Sequence, residues 1–133
     1  MARLIRVVAG MIVRDGEVLL ARRGPAMDLA GHWEFPGGKL EAGEGPEAAL
    51  VRELEEELDI HVRPLRELAR SRVPRGDAVL QLEGWLAELV RGEPIAREHD
   101  ALAWTLPIDI DRTTLAPADL PLLDALQALE SSK

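Results

Sequence analysis

Four glutamates crowd the stretch Glu53-Leu54-Glu55-Glu56-Glu57 of this 133-residue chain. At about 100° per residue on a helix, Glu53, Glu56 and Glu57 fall within an arc of roughly 100°. The apolar residues Leu50, Val51, Leu54 and Leu58 form a separate stripe. One face would pack while another presents three carboxylates, and Glu55 would point to solvent. A run of acids can be nothing more than a solvated face, but like charges three and four apart destabilise a helix. A hard divalent cation bound through oxygen relieves that cost. The chain has no Cys, which excludes a disulfide framework and a thiolate metal site. His32, His61 and His99 lack ligand spacing and read as structural or solvated.

The elements that must position these acids can be read outward from them. Gly45-Pro46-Glu47 is a helix start, with Pro suited to the first helical position and an early acid complementing the dipole. The helix should run to about Leu58. Upstream, residues 3–13 read as a mostly apolar strand, and Asp15-Gly16 is a hairpin turn into the strand Glu17 to Arg23. His32-Trp33-Glu34-Phe35-Pro36-Gly37-Gly38 reads as a short strand running into a Gly-rich loop, where backbone can approach a ligand closely. Downstream, strands near 64–73 and 78–89 flank a turn at Pro74-Arg75-Gly76-Asp77, and a short strand lies near 102–106. Residues 118–130 read as an amphipathic helix, followed by a frayed tail of three residues. This order favours one α/β domain over 1–133, with helices packed on a mixed sheet.

Composition bounds the partners. A formal charge of −8 and a pI near 4.9 argue against a polymeric nucleic acid, whose binders cluster Lys and Arg against phosphate. No apolar run is long enough for a membrane span, and Met1-Ala2-Arg3-Leu4-Ile5-Arg6 lacks a signal-peptide core, so a soluble cytoplasmic protein is expected. A small phosphorylated substrate remains open, with a divalent cation bridging carboxylates to phosphate oxygens.

The pattern Gly38-x5-Glu44-x7-Arg52-Glu53-Leu54-x-Glu56-Glu57-x-Asp59-Ile60 resembles the Nudix box, a 23-residue signature of a loop and one helix. Six fixed identities at roughly one in ten each would coincide at a given start on the order of once per million. Gly31-His32-Trp33-Glu34-Phe35-Pro36-Gly37-Gly38-Lys39 is similar to the MutT-type approach to that box. One position departs from it: Asp59 stands where the box has Gly. The left-handed C-cap implied there suits Asp better than most residues.

The resemblance implies an α/β/α sandwich and hydrolysis of a nucleoside triphosphate to the monophosphate and pyrophosphate, by water attack at the β-phosphorus. It implies Mg²⁺, with Mn²⁺ able to substitute, held by the Gly37 carbonyl with Glu53, Glu56 and Glu57, the last as bridge between metals. Arg52 would orient the glutamates and Glu44 would fix the loop against the helix. Glu53 is the expected general base, and Glu98 the alternative base or an extra ligand. Arg23 would contact phosphate, with Gly38 and Lys39 alongside. The partner is a small nucleotide, and the chain a monomer or homodimer.

Residues 98–104 and 115–123 resemble the CTP pyrophosphohydrolase branch of MutT-like enzymes, which acts on cytosine and oxidised nucleotides. Asp119 falls where 8-oxo-dGTP diphosphatases of the classical MutT type carry Asn. An ionised Asp only accepts hydrogen bonds, so it asks for donors on the base; cytosine's amine fits, and so does guanine's edge. Asp119 can equally serve as a plain helix N-cap, or be protonated if buried. Phe35 and Trp33 are aromatic wall candidates, Phe35 for base contact and Trp33 for core packing. The chain has no Tyr, against diadenosine polyphosphate hydrolases, and Pro74 reads as a hairpin residue rather than an ADP-ribose pyrophosphatase mark. A non-catalytic nucleotide-binding module of the same fold is the reading from another class, disfavoured by the intact Glu53, Glu56 and Glu57.

Overall fold

In a computed structural model, residues 3–132 are described. Met1, Ala2 and Lys133, the ends of the expected domain and tail, lie outside them. Strand β1 (Arg3–Arg14) is apolar on both faces because both are covered: Val8 and Ile12 pack with one core cluster, Ala9 and Met11 with another. β1 turns at Asp15-Gly16 into β2 (Glu17–Arg22), with φ of 52° and 81° at the two loop residues, the conformation a two-residue hairpin requires. The short β3 (Trp33–Glu34) adds to β2.

β4 (Gly37–Lys39) is a correction to the sequence reading, which took this glycine pair as loop. It pairs antiparallel with β1, with Val8 opposite Gly38 and Ala9 opposite Gly37. Residues without Cβ can lie this close: a Cβ on Gly37 would overlap the Val8 carbonyl and meet the Ala9 Cα at 2.8 Å.

Helix α1 (Pro46–Leu58) begins with Pro after Gly45 and ends at Asp59, whose φ of 57° and ψ of 39° make it the left-handed cap expected of it. The Asp59 N–H donates to the Glu55 carbonyl at 3.2 Å and the Ile60 N–H to the Leu54 carbonyl at 3.4 Å. The apolar stripe of α1 is buried through Ala49, Leu50, Leu54 and Leu58 against Val8, Ile12 and Leu19.

β5 (His61–Arg75) and β6 (Ala78–Arg91) are longer than the sequence suggested. Pro64 and Pro74 lie inside β5 rather than at its ends, and only Gly76 and Asp77 form the turn. The sheet order, β3-β2-β1-β6-β5, explains this, since β5 is an edge and an edge strand tolerates proline. β1 and β6 run parallel and the other pairings are antiparallel, including β7 (Ala101–Thr105) on β2, so the sheet is mixed. Helix α2 (Leu120–Ser131) follows a 3₁₀ turn at Pro117–Asp119 and buries Leu122, Leu123 and Leu126 on the face opposite α1. The result is the α/β/α layering expected. No helix among the described residues is long and apolar enough to cross a membrane.

Candidate active site

The acidic face of α1 is organised by Arg52. Its guanidinium donates Nε to Glu44 Oε2 (2.8 Å) and Nη2 to Glu44 Oε1 (2.9 Å), a bidentate pair. Nη2 also donates to the Lys39 carbonyl at 3.0 Å, and Nη1 reaches Glu53 Oε1 at 2.9 Å and Glu56 Oε2 at 3.4 Å. One side chain therefore joins the loop, β4 and two of the helix acids. The Arg52 hydrogen bonds hold Glu44 well below the usual carboxylate range, at about 2, so it stays charged. Glu44 Oε1 also accepts the Glu41 N–H at 3.0 Å, which folds the loop onto the helix start.

Glu53 and Glu57 behave differently. Desolvation pushes the Glu53 carboxyl up, against the opposing pull of Arg52. Desolvation also raises Glu57, and the charges of Glu98 and Glu53 raise it further. The Glu53 carboxylate lies directly over Gly38, in space that a Cβ on that residue would fill. Glu56 is 60% exposed in its side chain and leans to Arg52, while Glu55 points outward to His61, as a solvated partner. Among the described residues no three acidic or histidine side chains form a ready set of metal ligands. The donor chemistry nonetheless suits a hard divalent cation. Glu53 and Glu57 are oxygen donors in partly desolvated surroundings, disfavoured as charges by burial and by neighbouring carboxylates, beside the main chain of Gly37 and Gly38.

A cleft of about 240 Å³ opens next to this face, lined by Gly37, Gly38, Lys39 and Glu57 at one part and by Phe35, Leu82, Ala116 and Asp119 at another. Arg23 lines it as well. All five residues expected to bind substrate thus border one cavity, together with Gly37 and Glu57 of the expected metal set. Glu53, Glu56, Arg52 and Glu44 stand behind it on α1 and the loop, and Glu98 is exposed on the segment before β7.

Asp119 is 5% exposed. Its Oδ2 accepts the Phe35 N–H at 2.8 Å, and it makes no side-chain cap to α2, so the plain N-cap role is not what the structure has. Its backbone is already helical, with φ −87° and ψ −12°, whereas a capping side chain needs an extended residue. Burial pushes its carboxyl up to about 7. Phe35 is buried in the core cluster and lines the cleft from below. Trp33 does not line it; the ring packs against the core and under the Arg22 guanidinium, 5.6 Å from its centroid.

Sequence reasoning missed two residues here. Glu34 Oε1 accepts from Arg23 Nη1 at 2.7 Å, and its Oε2 pairs with His99 Nε2 at 2.8 Å. Arg23 also donates Nε to the Asp28 carbonyl. His99 is buried, so the solvated alternative for it fails. The one available signal was an acid set between Trp33 and Phe35 in an apolar strand.

The NUDIX domain model matches residues 4–126, and the chain belongs to that family. It is 42% identical over 131 residues to the CTP pyrophosphohydrolase of Escherichia coli (strain K12), covering 98% of this chain and 97% of the relative. A putative 8-oxo-dGTP diphosphatase 2 of Mycobacterium tuberculosis (strain CDC 1551 / Oshkosh) is 44% identical over 118 residues, 85% of this chain and 81% of the relative. The solution structure of the E. coli ORF135 protein superposes with a TM-score of 0.88 at 41% identity, covering 99% of this chain and 94% of that one.

Proposed function

We propose that this chain, as a single domain, is a cytoplasmic nucleoside triphosphate pyrophosphohydrolase that converts an NTP or dNTP and water to the monophosphate and pyrophosphate. Cytosine or oxidised nucleotides are its substrates. The observation that carries this reading is the single cleft that runs from Asp119 and Phe35 to Gly37, Gly38 and Glu57. A base fits at the apolar end and phosphates at the acidic end, with Arg23 and Lys39 available to their charge. Its similarity to a CTP pyrophosphohydrolase and to a putative 8-oxo-dGTP diphosphatase supports the same assignment.

Members of this family generally require a divalent metal. Glu53, Glu56, Glu57 and the Gly37 carbonyl would hold Mg²⁺ here, with Glu98 as a further donor. When bound, Mg²⁺ offsets phosphate charge and acidifies the attacking water. Glu53, raised by burial yet held in place by Arg52, takes a proton from water at its carboxylate. Arg23 contacts phosphate and Asp119 meets the base.

The test is pyrophosphate release from CTP, dCTP, 5-methyl-dCTP, 8-oxo-dGTP, dGTP and ADP-ribose at equal concentration, with Mg²⁺. Preference for cytosine nucleotides supports Asp119 reading an exocyclic amine. Preference for 8-oxo-dGTP supports a second reading that the Asp119 carboxyl itself favours, since a protonated acid donates and accepts as Asn does. Silence across the panel despite metal binding would point to a binding module.

A further inference from the structure

The segment between β6 and β7, residues 92–100, has no strand pairing of its own, so its course is fixed by individual tethers. The Ile95 N–H donates to the Leu58 carbonyl at 2.9 Å, and Arg97 Nη1 donates to the Glu56 carbonyl at 2.7 Å, both at the end of α1. Asp100 is held from the other side, its N–H on the Arg22 carbonyl at 3.1 Å and its carboxylate on Arg22 Nε at 2.6 Å. Between them His99 turns inward, its side chain 2% exposed, to meet Glu34. Glu98, beside it, is exposed, but its main chain is closely packed. A Cβ added to Gly24 would overlap the Glu98 carbonyl.

Among the charges acting on Glu57, that of Glu98 ranks first. Two carboxylates near each other repel, and a segment without a ladder would relax to separate them unless anchored. The His99–Glu34 pair, with His99 buried and Glu34 partly so, is the anchor next to Glu98, and it is not explained by apolar packing. Glu34 uses its second oxygen on Arg23, so one carboxylate ties the Glu98 segment to the side chain proposed to meet phosphate.

We infer that Glu34 and His99 are positioning residues: through their mutual hydrogen bond they hold Glu98 beside the acidic face of α1, in register with Arg23. This rests on the proposed role of Glu98 in the hydrolysis. Geometric misplacement of about 1 Å is enough to cost up to about 100-fold in rate, so the effect belongs in kcat rather than in folding.

The experiment is a cycle of Glu98→Ala, His99→Ala and the double variant, assayed for pyrophosphate release from the preferred nucleotide, with His99→Gln in the same cycle should His99→Ala not fold. Glu34→Gln serves as the conservative variant at the other end of the pair. His99→Ala should lower kcat by about 10- to 100-fold with KM changed less than about twofold. The double variant should be no slower than Glu98→Ala alone, because residues acting as one unit are not additive. Amide exchange at residues 98–100, read without substrate, should quicken in His99→Ala and less in Glu34→Gln. Multiplying losses in the double variant, or unchanged exchange, would overturn the inference while leaving the role of Glu98 intact. A Glu98→Ala enzyme with full kcat would instead remove that role, and with it the inference, without touching the proposed reaction.

Discussion

At the scale of single residues, the most consequential is Asp119. Its carboxyl binds a proton more readily folded, at about 7, than at the ordinary value of 3.8. Its contribution to stability is therefore fully present below about pH 4 and lost as pH rises through about 7. Asp119→Asn keeps the acceptor for the Phe35 N–H and removes the titration. Calorimetry from about pH 4 to 8 should show the wild-type Tm falling more steeply than that of the variant; parallel profiles would mean that Asp119 is ionised throughout. Glu53 carries a second prediction. Glu53→Gln retains an acceptor for Arg52 and loses the base, so kcat should fall by about 10²- to 10⁴-fold with the circular dichroism spectrum unchanged. An unchanged kcat would transfer the base role to Glu98. These residues were legible because motif spacing and chemistry identify them locally. Glu34 and His99 were not, for each is unremarkable until a separation of 65 positions along the chain is folded away.

At the scale of elements, the two glycines of β4 separate stability from catalysis. Gly37→Ala drives a Cβ into the main chain of β1, which cannot rotate aside, whereas at Gly38 the obstacle is the Glu53 carboxylate. Gly37→Ala should lower Tm or prevent folding, the costly outcome expected of backbone overlap. Gly38→Ala should fold with a smaller change in Tm and a large loss of kcat. Thermal melts and pyrophosphate release check both, and equal losses of Tm would contradict the pairing of Gly37 with Ala9. Helix α1 was legible to its caps because Pro46 and Asp59 are local signals. β4 was hidden because glycines usually mark loops, and their pairing depends on β1, some 30 residues earlier. The full length of β5 was hidden for a related reason: Pro64 and Pro74 argue against a strand until it is known to be an edge.

At the scale of the whole molecule, the cleft is a product of topology. Phe35 and Gly37 follow β3, Glu57 comes from α1, Leu82 from β6 and Asp119 from the turn before α2. The parallel pairing of β1 with β6 puts these segments around one opening. Sequence named residues that border this cavity, but it had no access to the cavity itself. Part of the net charge of −8 also acquires a location, since Glu44, Glu53, Glu56 and Glu57 gather at one helix with Arg52 among them. The central claim is that this acidic face and the adjoining cleft hydrolyse a nucleoside triphosphate with a divalent cation. It is tested most directly by pyrophosphate release from CTP and 8-oxo-dGTP by the wild-type chain and Glu53→Gln, each with Mg²⁺ and with chelator. Release by the wild type that chelator abolishes, and that Glu53→Gln lacks, is the predicted result. Release that persists in chelator, or no release from either nucleotide, would contradict it.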